Sequence, residues 1–218
     1  MPRYFPLFLD ITGRRVVVVG GGDGAARKVE QLLDCGAEVV VVSPHFSGAF
    51  APLRGRSDLA LVQRAYQPGD LAGAVLAIAA SDDPAVNRVA TEEATAAGVL
   101  VNVVDQPALS QFIVPSVVRR GELVVAISTG GASPALARRL REELEQVIGP
   151  EYETFVALLR EVRQRVMQSE PDPARRRAIF ERLVRSDLLD RLRHGDHAGA
   201  LARMEALLRD GDPSLHSH

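Results

Sequence analysis

Small residues after a short apolar run form the clearest chemical pattern in the chain. The run Val16–Val19 is followed by Gly20-x-Gly22-x-x-Ala25, the Gly/Ala form of the fingerprint that binds a dinucleotide at a strand-to-helix turn. Gly20 permits the turn, Gly22 lets a pyrophosphate approach the backbone, and Ala25 lets the helix pack on the strand. The N–H groups and positive dipole end of that helix face the phosphates. We therefore predict cofactor contacts at Gly20, Gly22, Asp23, Gly24 and Ala25.

Asp105 is the second candidate for chemistry, because it directly follows the apolar run Val99–Val104. A carboxylate at the carboxyl end of a parallel strand lies where ligands bind in open α/β sheets, and it can exchange a proton with a substrate. The same position also fits a residue that caps the following turn, Gln106-Pro107. Position alone leaves both interpretations open.

The loop after the second strand departs from the usual dinucleotide pattern. That strand normally ends in an Asp or Glu that bonds the adenosine ribose of NAD, whereas here it ends in Ser43-Pro44-His45. NAD and NADP therefore both remain open. His45 either bonds the ribose or adenine, or is a solvated loop residue. Ser81, with Asp82, caps the helix after the fourth strand or touches the cofactor through its backbone.

Alternating strands and helices position these residues. Apolar runs of four to seven residues, typical of buried parallel strands, alternate with helical stretches and predict a Rossmann-type, doubly wound α/β sheet. Gly36 and Gly98 supply left-handed helix ends. The predicted strands are Arg15–Val19, Glu38–Ser43, Ala60–Arg64, Ala74–Ala80 and Val99–Val104. The predicted helices are Asp23–Asp34 and the stretch from Pro84 to Ala97, with further helical turns at Ala49–Arg54 and a turn with a helix start at Gln67–Asp70.

The pattern changes after Pro107. Phe112–Val118 and Glu122–Ser128 predict a hairpin, in which Pro115 requires a strand that is at an edge, bulged or at an interface. Two apolar strands outside the main sheet need a cover, so we predict a two-fold homodimer at this segment.

A small-residue loop follows the hairpin and precedes a helix, Ala135–Val147. Its hydroxyl and N–H groups suit an anion, and Ser133 is the expected N-cap, with Pro134 at the first helical position. Most charges of the helix fit i,i+4 ion pairs on a solvated face. The predicted anion-binding residues are Ser128, Thr129, Gly130, Gly131 and Ser133 in the loop, with Arg138 and Arg139 nearest to it.

The remainder of the chain predicts four helical pieces and no further site. They cover Tyr152–Met167, Ala174–Val184, Asp187–Arg193 and Ala198–Leu208, followed by a frayed tail over Gly211–His218.

Composition excludes several classes of protein. A net charge of −2 argues against nucleic-acid binding. No apolar run reaches the ~18–20 residues of a membrane span, and Met1–Asp10 lacks a signal-peptide pattern. The single cysteine, Cys35, fits the reducing cytoplasm. No paired-Cys metal site is present, and we predict no bound metal.

Six motifs together make the sequence resemble a known family. They are Tyr4–Phe8, Val19–Lys28, Ala77–Asp83, Asn102–Asp105, Phe112–Ser116 and Ser128–Pro134. In this order and spacing they resemble the precorrin-2 dehydrogenase/sirohydrochlorin ferrochelatase family, the N-terminal module of siroheme synthases. The glycine motif is generic, whereas Asn-Val-Val-Asp followed by Phe-Ile-Val-Pro-Ser is much more specific.

The resemblance implies NAD as cofactor and Asp105 as the essential acid or base. It also implies cofactor contacts at Gly22–Gly24 and at Ser43, Pro44 and His45. We further predict cofactor contacts at Ser81 and Asn102, which lie in the matching motifs. The implied activity is NAD-dependent oxidation of precorrin-2 to sirohydrochlorin, with ferrous iron as the substrate of a second, chelatase step in some members. Because precorrin-2 carries eight carboxylates, Arg119 and Arg120 join the predicted substrate-binding residues.

The implied organisation has three parts. A Rossmann domain covers 1–111, a small β/α dimerisation segment 112–149, and an all-helical C-terminal domain 150–218. The rival hypothesis is a redox sensor that binds NAD(H) without turning it over, and such a protein has no need of a base at Asp105.

Overall fold

The four valines Val16–Val19 lie at the centre of a five-stranded sheet, and all four are buried. β-branched residues favour extended backbone, and an uninterrupted apolar run fits a strand that is covered on both faces. The structure is a computed structural model that describes residues 3–209. It divides into two compact units after Val114.

The first unit is a parallel sheet with strand order β3-β2-β1-β4-β5. The order runs outward from β1 in one direction and then returns to its other side, as in a dinucleotide-binding fold. The predicted Rossmann-type sheet is confirmed. Its elements are β1 (Arg15–Val19), α1 (Asp23–Asp34), β2 (Glu38–Ser43), β3 (Leu59–Gln63), β4 (Leu76–Ala79), α2 (Pro84–Ala97) and β5 (Leu100–Val103), with short 3₁₀ turns at Gly48–Leu53 and Pro107–Leu109.

Alternate residues of β1 face opposite sides of the sheet, which produces two separate cores. Val16 and Val18 pack with Val29 of α1 on one face. Val17 and Val19 pack with Ala90 and other residues of α2 on the opposite face. The helices therefore cover the sheet on both sides, as the doubly wound prediction requires.

The second unit begins with an antiparallel hairpin and continues as helices. Its elements are β6 (Ser116–Arg120), β7 (Leu123–Ile127), α3 (Pro134–Val147), α4 (Glu151–Ser169), α5 (Pro173–Val184), α6 (Leu188–Arg193) and α7 (His197–Arg209). Helices α4 to α7 share one apolar core that includes Phe155, Val162, Leu183, Leu188 and Met204.

Two predicted elements differ from the structure. The strand predicted from Phe112 begins only at Ser116, because Pro115 has no N–H to donate to a ladder. Within the described residues β6 pairs with β7, and α3 and α4 contact this hairpin, so Val118 is buried without a second chain. At Gln67–Asp70 the predicted turn is confirmed, whereas the helix start predicted with it is absent.

The three predicted domain boundaries remain predictions. The division after Val114 lies three residues from the predicted boundary at 111/112, and a further boundary at 149/150 is not tested. The tail predicted over Gly211–His218 lies outside the described residues. Across residues 3–209, no helix is both long enough and apolar enough to cross a membrane.

Candidate cofactor and catalytic site

The three glycines of the turn after β1 have different surroundings. A Cβ on Gly20 would overlap the carbonyl group of Ala80 and lie 2.8 Å from the Ser81 nitrogen, and its φ of 125° disfavours any side chain. A Cβ on Gly21 would lie 2.7 Å from the Ser43 Oγ. These two glycines therefore let the turn pack against the ends of β4 and β2.

Gly22 instead borders open space. Nothing lies within 4 Å of the position that its Cβ would take, and its φ of −78° is an ordinary one. Gly22 is the N-cap of α1 and offers no side chain to the first N–H groups of that helix, which are the groups that bind phosphate in this fold. Ala25 is buried against the sheet. The turn therefore fits the pyrophosphate of a dinucleotide.

The loop after β2 is held by its own hydrogen bonds. The buried Ser43 hydroxyl donates to the His45 carbonyl at 2.7 Å, and the Ser47 N–H donates to the Gly21 carbonyl at 2.8 Å. The Ser43 side chain thus shapes the loop, and its contact with cofactor stays a prediction. Pro44 and His45 are exposed beside it, where an adenosine can reach them.

The end of β4 is organised by Asn87, which the sequence argument missed. This buried side chain on α2 accepts from the Ser81 N–H at 3.0 Å and donates to the Ser81 carbonyl at 2.8 Å. Both backbone groups of Ser81 are therefore engaged. The signal in the sequence is a polar residue on the apolar face of α2, which carries Ala90 and Ala94.

The predicted helix cap at this point is wrong. Asp83, rather than Ser81 or Asp82, caps α2, and its carboxylate accepts from the Ala85 N–H at 2.8 Å. Pro84 occupies the first helical position, which places the cap on the residue before it. The Ser81 Oγ instead accepts from the Asp83 N–H at 3.2 Å.

Asp105 follows β5 at the same edge of the sheet as the glycine turn, since all five strands are parallel. It is exposed, and its φ is 59°. Every other residue in the described range with positive φ is a glycine. A backbone bond from the Gln106 N–H to the Val103 carbonyl, 3.2 Å long, closes the turn. Among residues 3–209, no hydrogen bond to the Asp105 carboxylate helps to close this turn.

Asn102 has a partner inside the unit. Its side-chain amide donates to the Phe112 carbonyl at 2.9 Å, which ties the segment after Asp105 back to β5. The Asn102 side chain thereby positions the segment around Phe112. Its contact with the cofactor stays a prediction.

In the second unit, the hydroxyls of the small-residue loop hold the loop itself. The Ser128 Oγ accepts from the Gly130 N–H at 3.0 Å, and the Thr129 Oγ1 accepts from the Ser133 N–H at 3.0 Å and donates to its carbonyl at 3.1 Å. Ser133 caps α3, as predicted, by accepting from the Leu136 N–H at 3.2 Å. Gly130 and Gly131 have positive φ, which only glycine adopts easily.

The predicted arginines divide into different environments. Arg120 donates to the carbonyls of Arg119 and Glu145, at 2.9 Å and 3.3 Å, and so ties the hairpin to α3. Arg139 forms an exposed ion pair with Glu143 at 2.7 Å, which confirms the predicted i,i+4 pairing. Arg138 is exposed on the first turns of the same helix.

No group of three or more His, Cys, Asp or Glu residues in the described part of the chain is arranged to hold a metal ion.

Three family models match the chain in sequence order. A "Putative NAD(P)-binding" model covers residues 7–116, and a "Sirohaem biosynthesis protein central" model covers 120–146. A "Sirohaem synthase dimerisation region" model covers 151–208. The chain belongs to the family of this NAD(P)-binding model, which covers half of it. The match for the dimerisation region falls on the helices α4 to α7, whereas we predicted the dimer at the hairpin.

Curated relatives extend this family assignment. The chain is 40% identical over 210 residues to a siroheme synthase of Azotobacter vinelandii, and 43% identical over 212 residues to one of Nitrosospira multiformis. These matches cover 96% and 95% of the chain but only 45% of each relative. The chain thus spans about half the length of the curated relatives it matches.

A solved structure matches over nearly the whole chain. It is SirC, described as a precorrin-2 dehydrogenase, with a TM-score of 0.75 and 26% identity, and the match covers 93% of this chain and 100% of that one. SirC therefore shares the fold that the glycine motif predicted.

Proposed function

We propose that the chain oxidises precorrin-2 to sirohydrochlorin with NAD, in the synthesis of siroheme. The observation that carries this proposal is the common edge of the parallel sheet, where the open turn at Gly22 follows β1 and Asp105 follows β5. One strand, β4, separates β1 from β5, so the two strands lie roughly 10 Å apart. The similarity to SirC, a precorrin-2 dehydrogenase, and to siroheme synthases supports the same reaction.

The reaction removes a hydride and a proton from the reduced tetrapyrrole. NAD, when bound, supplies the hydride acceptor. The α1 N-terminus binds its pyrophosphate, and the Asp105 carboxylate accepts the proton, because it is exposed at the sheet edge and is not engaged by another residue of the described chain. An ionised carboxylate with a free lone pair is the group that such a step needs.

NAD is proposed over NADP because the family resemblance implies it, and the charges near the end of β2 agree with that choice. An arginine normally accommodates the 2′-phosphate of NADP near the end of β2. The segment Ser43–Ser47 contains no arginine or lysine.

Anaerobic turnover of precorrin-2 tests the proposal. The wild type should form NADH with NAD and far less NADPH with NADP. Asp105→Asn should lower kcat by about 10²- to 10⁴-fold while NAD binding is retained. Asn tolerates the left-handed backbone at this position, so the substitution removes the charge without adding strain. Asp105→Gly is the matched control that also keeps the turn and should be equally inactive.

Two outcomes would contradict the proposal. Turnover by Asp105→Asn at the wild-type rate would exclude the carboxylate as the base. NAD binding by the wild type with no turnover would favour the redox sensor. Adding ferrous iron to sirohydrochlorin in the same samples tests iron as a substrate, since a chelatase must exceed the protein-free rate.

The substrate carboxylates are proposed to bind at the Ser128–Ser133 loop and α3. Arg138 and Arg139 project from the first turns of α3 after this loop, and the ion pair of Arg139 with Glu143 is exposed and therefore weak. The double variant Arg138→Ala/Arg139→Ala should raise the KM for precorrin-2 with kcat retained. Arg177→Ala, an exposed and ion-paired arginine on α5, is the control. An unchanged KM in the double variant would overturn this assignment.

The assembly is proposed to be a homodimer that works in the cytoplasm. The dimerisation-region match supports the dimer, and the lone Cys35 fits a reducing compartment. Sedimentation of the purified chain tests the assembly, and a monomer at micromolar concentration would contradict it.

A further inference from the structure

Asp105 carries a conformation that ordinary residues avoid. Its φ of 59° places it in the left-handed region, which aspartate and asparagine adopt more often than other residues except glycine but which is still uncommon for them. Such a conformation persists only where neighbouring interactions determine it. The backbone of Asp105 must therefore be held by interactions with nearby residues.

Hydrogen bonds at the free edge of β5 fix the backbone next to Asp105. β5 is the last strand of the sheet, and the N–H and carbonyl groups of Val101 and Val103 point away from β4. The segment after Asp105 folds back and pairs them. The Gln111 N–H donates to the Val101 carbonyl at 2.8 Å, and the Gln111 Oε1 accepts from the Val101 N–H at 3.2 Å.

Ser110 performs the same task at Val103, next to the turn. Its Oγ accepts from the Val103 N–H at 2.9 Å. The hydroxyl hydrogen has two carbonyls in reach, Val103 at 3.2 Å and Gln106 at 3.1 Å. One hydroxyl therefore links the residue two places before Asp105 to the residue directly after it.

We propose that Ser110 is a positioning residue that holds the left-handed turn and thereby aims the Asp105 carboxylate. This inference rests on the proposed function, in which Asp105 is the base. Ser110 acts on the backbone on both sides of Asp105 and does not itself take part in proton transfer. Displacing a reacting group by about 1 Å can cost a factor of roughly a hundred in rate. A displaced Asp105 carboxylate should therefore lower kcat.

The test is a double-mutant cycle on the full chain, with Ser110→Ala, Asp105→Asn and the double variant. Ser110→Ala should lower kcat by roughly ten- to a hundredfold and leave NAD binding unchanged. Ser110→Thr retains the hydroxyl and should restore kcat. In the Asp105→Asn background, Ser110→Ala should cause no further loss, because the carboxylate that it aims is already gone.

A readout that does not depend on turnover accompanies the cycle. Amide hydrogen exchange at Val103 should be faster in Ser110→Ala than in the wild type and normal in Ser110→Thr. Ser169→Ala is the matched control, because the Ser169 hydroxyl also donates to a backbone carbonyl, that of Arg165 at 3.0 Å, on the exposed end of α4. It should change neither kcat nor the exchange at Val103.

The failures can be told apart. If Asp105→Asn is inactive but Ser110→Ala has the wild-type kcat, the positioning role is wrong and the proposed function stands. A further loss in the double variant would also overturn the role, since Ser110 would then act independently of the carboxylate. If Asp105→Asn is fully active, the proposed base fails and the positioning role fails with it, while the exchange at Val103 still reports whether the hydrogen bond exists.

Discussion

The glycine turn after β1 and the connection between β3 and β4, residues 64–75, belong to the same unit but satisfy their polar groups differently. In the connection, Arg64 and Asp70 form two hydrogen bonds of 2.8 Å and 2.6 Å. Glu93 of α2 accepts from the Tyr66 hydroxyl at 2.5 Å and from two backbone N–H groups of the connection, those of Gly69 and Leu71. In the turn, the space beside Gly22 is open and α1 has no side-chain cap.

The connection therefore contributes to stability, whereas the glycine turn is available for ligand binding. The connection contains no helix, and side chains from β1 and α2 compensate by bonding its backbone. Arg15 donates to the Asp70 carbonyl, and Glu93 accepts from the Gly69 and Leu71 N–H groups. The turn leaves the N–H groups of α1 for an anion. Substitutions in the connection should therefore change the free energy of unfolding, and substitutions at Gly22 should change cofactor affinity.

The largest expected effects distinguish two glycines of the same turn. Gly20→Ala should lower the free energy of unfolding by on the order of 3 kcal/mol, because the Cβ meets the Ala80 carbonyl and φ is positive. Gly22→Ala should leave stability unchanged but weaken NAD binding about tenfold or more, which is about 1.4 kcal/mol or more of binding free energy. Urea denaturation and calorimetric titration measure the two quantities. Wild-type affinity in Gly22→Ala would show that the open space is not the cofactor site.

Glu93→Ala, in contrast to Gly22→Ala, should lower stability and leave NAD affinity unchanged. Three donors lose their acceptor, so we expect a loss of about 2 kcal/mol in the free energy of unfolding with NAD affinity unchanged. Glu92→Ala, an exposed neighbour on the same helix, is the control for loss of a carboxylate and should be nearly neutral. A loss of NAD affinity in Glu93→Ala would mean that the two regions are coupled.

Alkaline pH should weaken the connection through Tyr66. Burial, with the hydrogen bond to Glu93, raises the pKa of the Tyr66 phenol above its usual value of 10.0. Its contribution to stability is therefore complete below about pH 10 and is lost as the pH rises further, because the unfolded chain ionises first. Unfolding free energies between pH 8 and 11 should fall less steeply in Tyr66→Phe than in the wild type. Tyr152→Phe should retain the wild-type slope.

Acid should act on Asp70 in the opposite direction, with the smallest effect. The hydrogen bond from Arg64 holds the pKa of Asp70 below its usual value of 3.8. The stabilisation is thus present above pH 3.8 and is lost as the pH falls through the lower, folded-state pKa. Asp70→Asn should reduce the decline in stability between pH 5 and 2, and Asp34→Asn should not. If the free energy of unfolding declines equally in Asp70→Asn and Asp34→Asn, groups other than Asp70 cause the acid sensitivity.

Residue type and spacing predicted most of the fold. Except for β6, every predicted strand and helix bound lies within two residues of the structure, because apolar runs, caps and glycines are local signals. The errors arose where a neighbour decided the outcome. Gln67-Pro68-Gly69-Asp70 predicts a turn with a helix start, and only the turn forms, because Glu93, 23 residues beyond Asp70, accepts from the Gly69 and Leu71 N–H groups.

The candidate site divides in the same way. The sequence by itself determined that Gly20, Gly22 and Asp105 stand after apolar strands, since this follows from residue order alone. Only the tertiary structure decided which polar groups are still available for a ligand. The predicted cofactor contacts of Ser81 and Asn102 stay predictions, and folding brings these two residues the partners Asn87 and Phe112. A hydrogen bond depends on distance and direction in space, which residue spacing along the chain does not supply, and for that reason Ser110 became visible only in the folded protein.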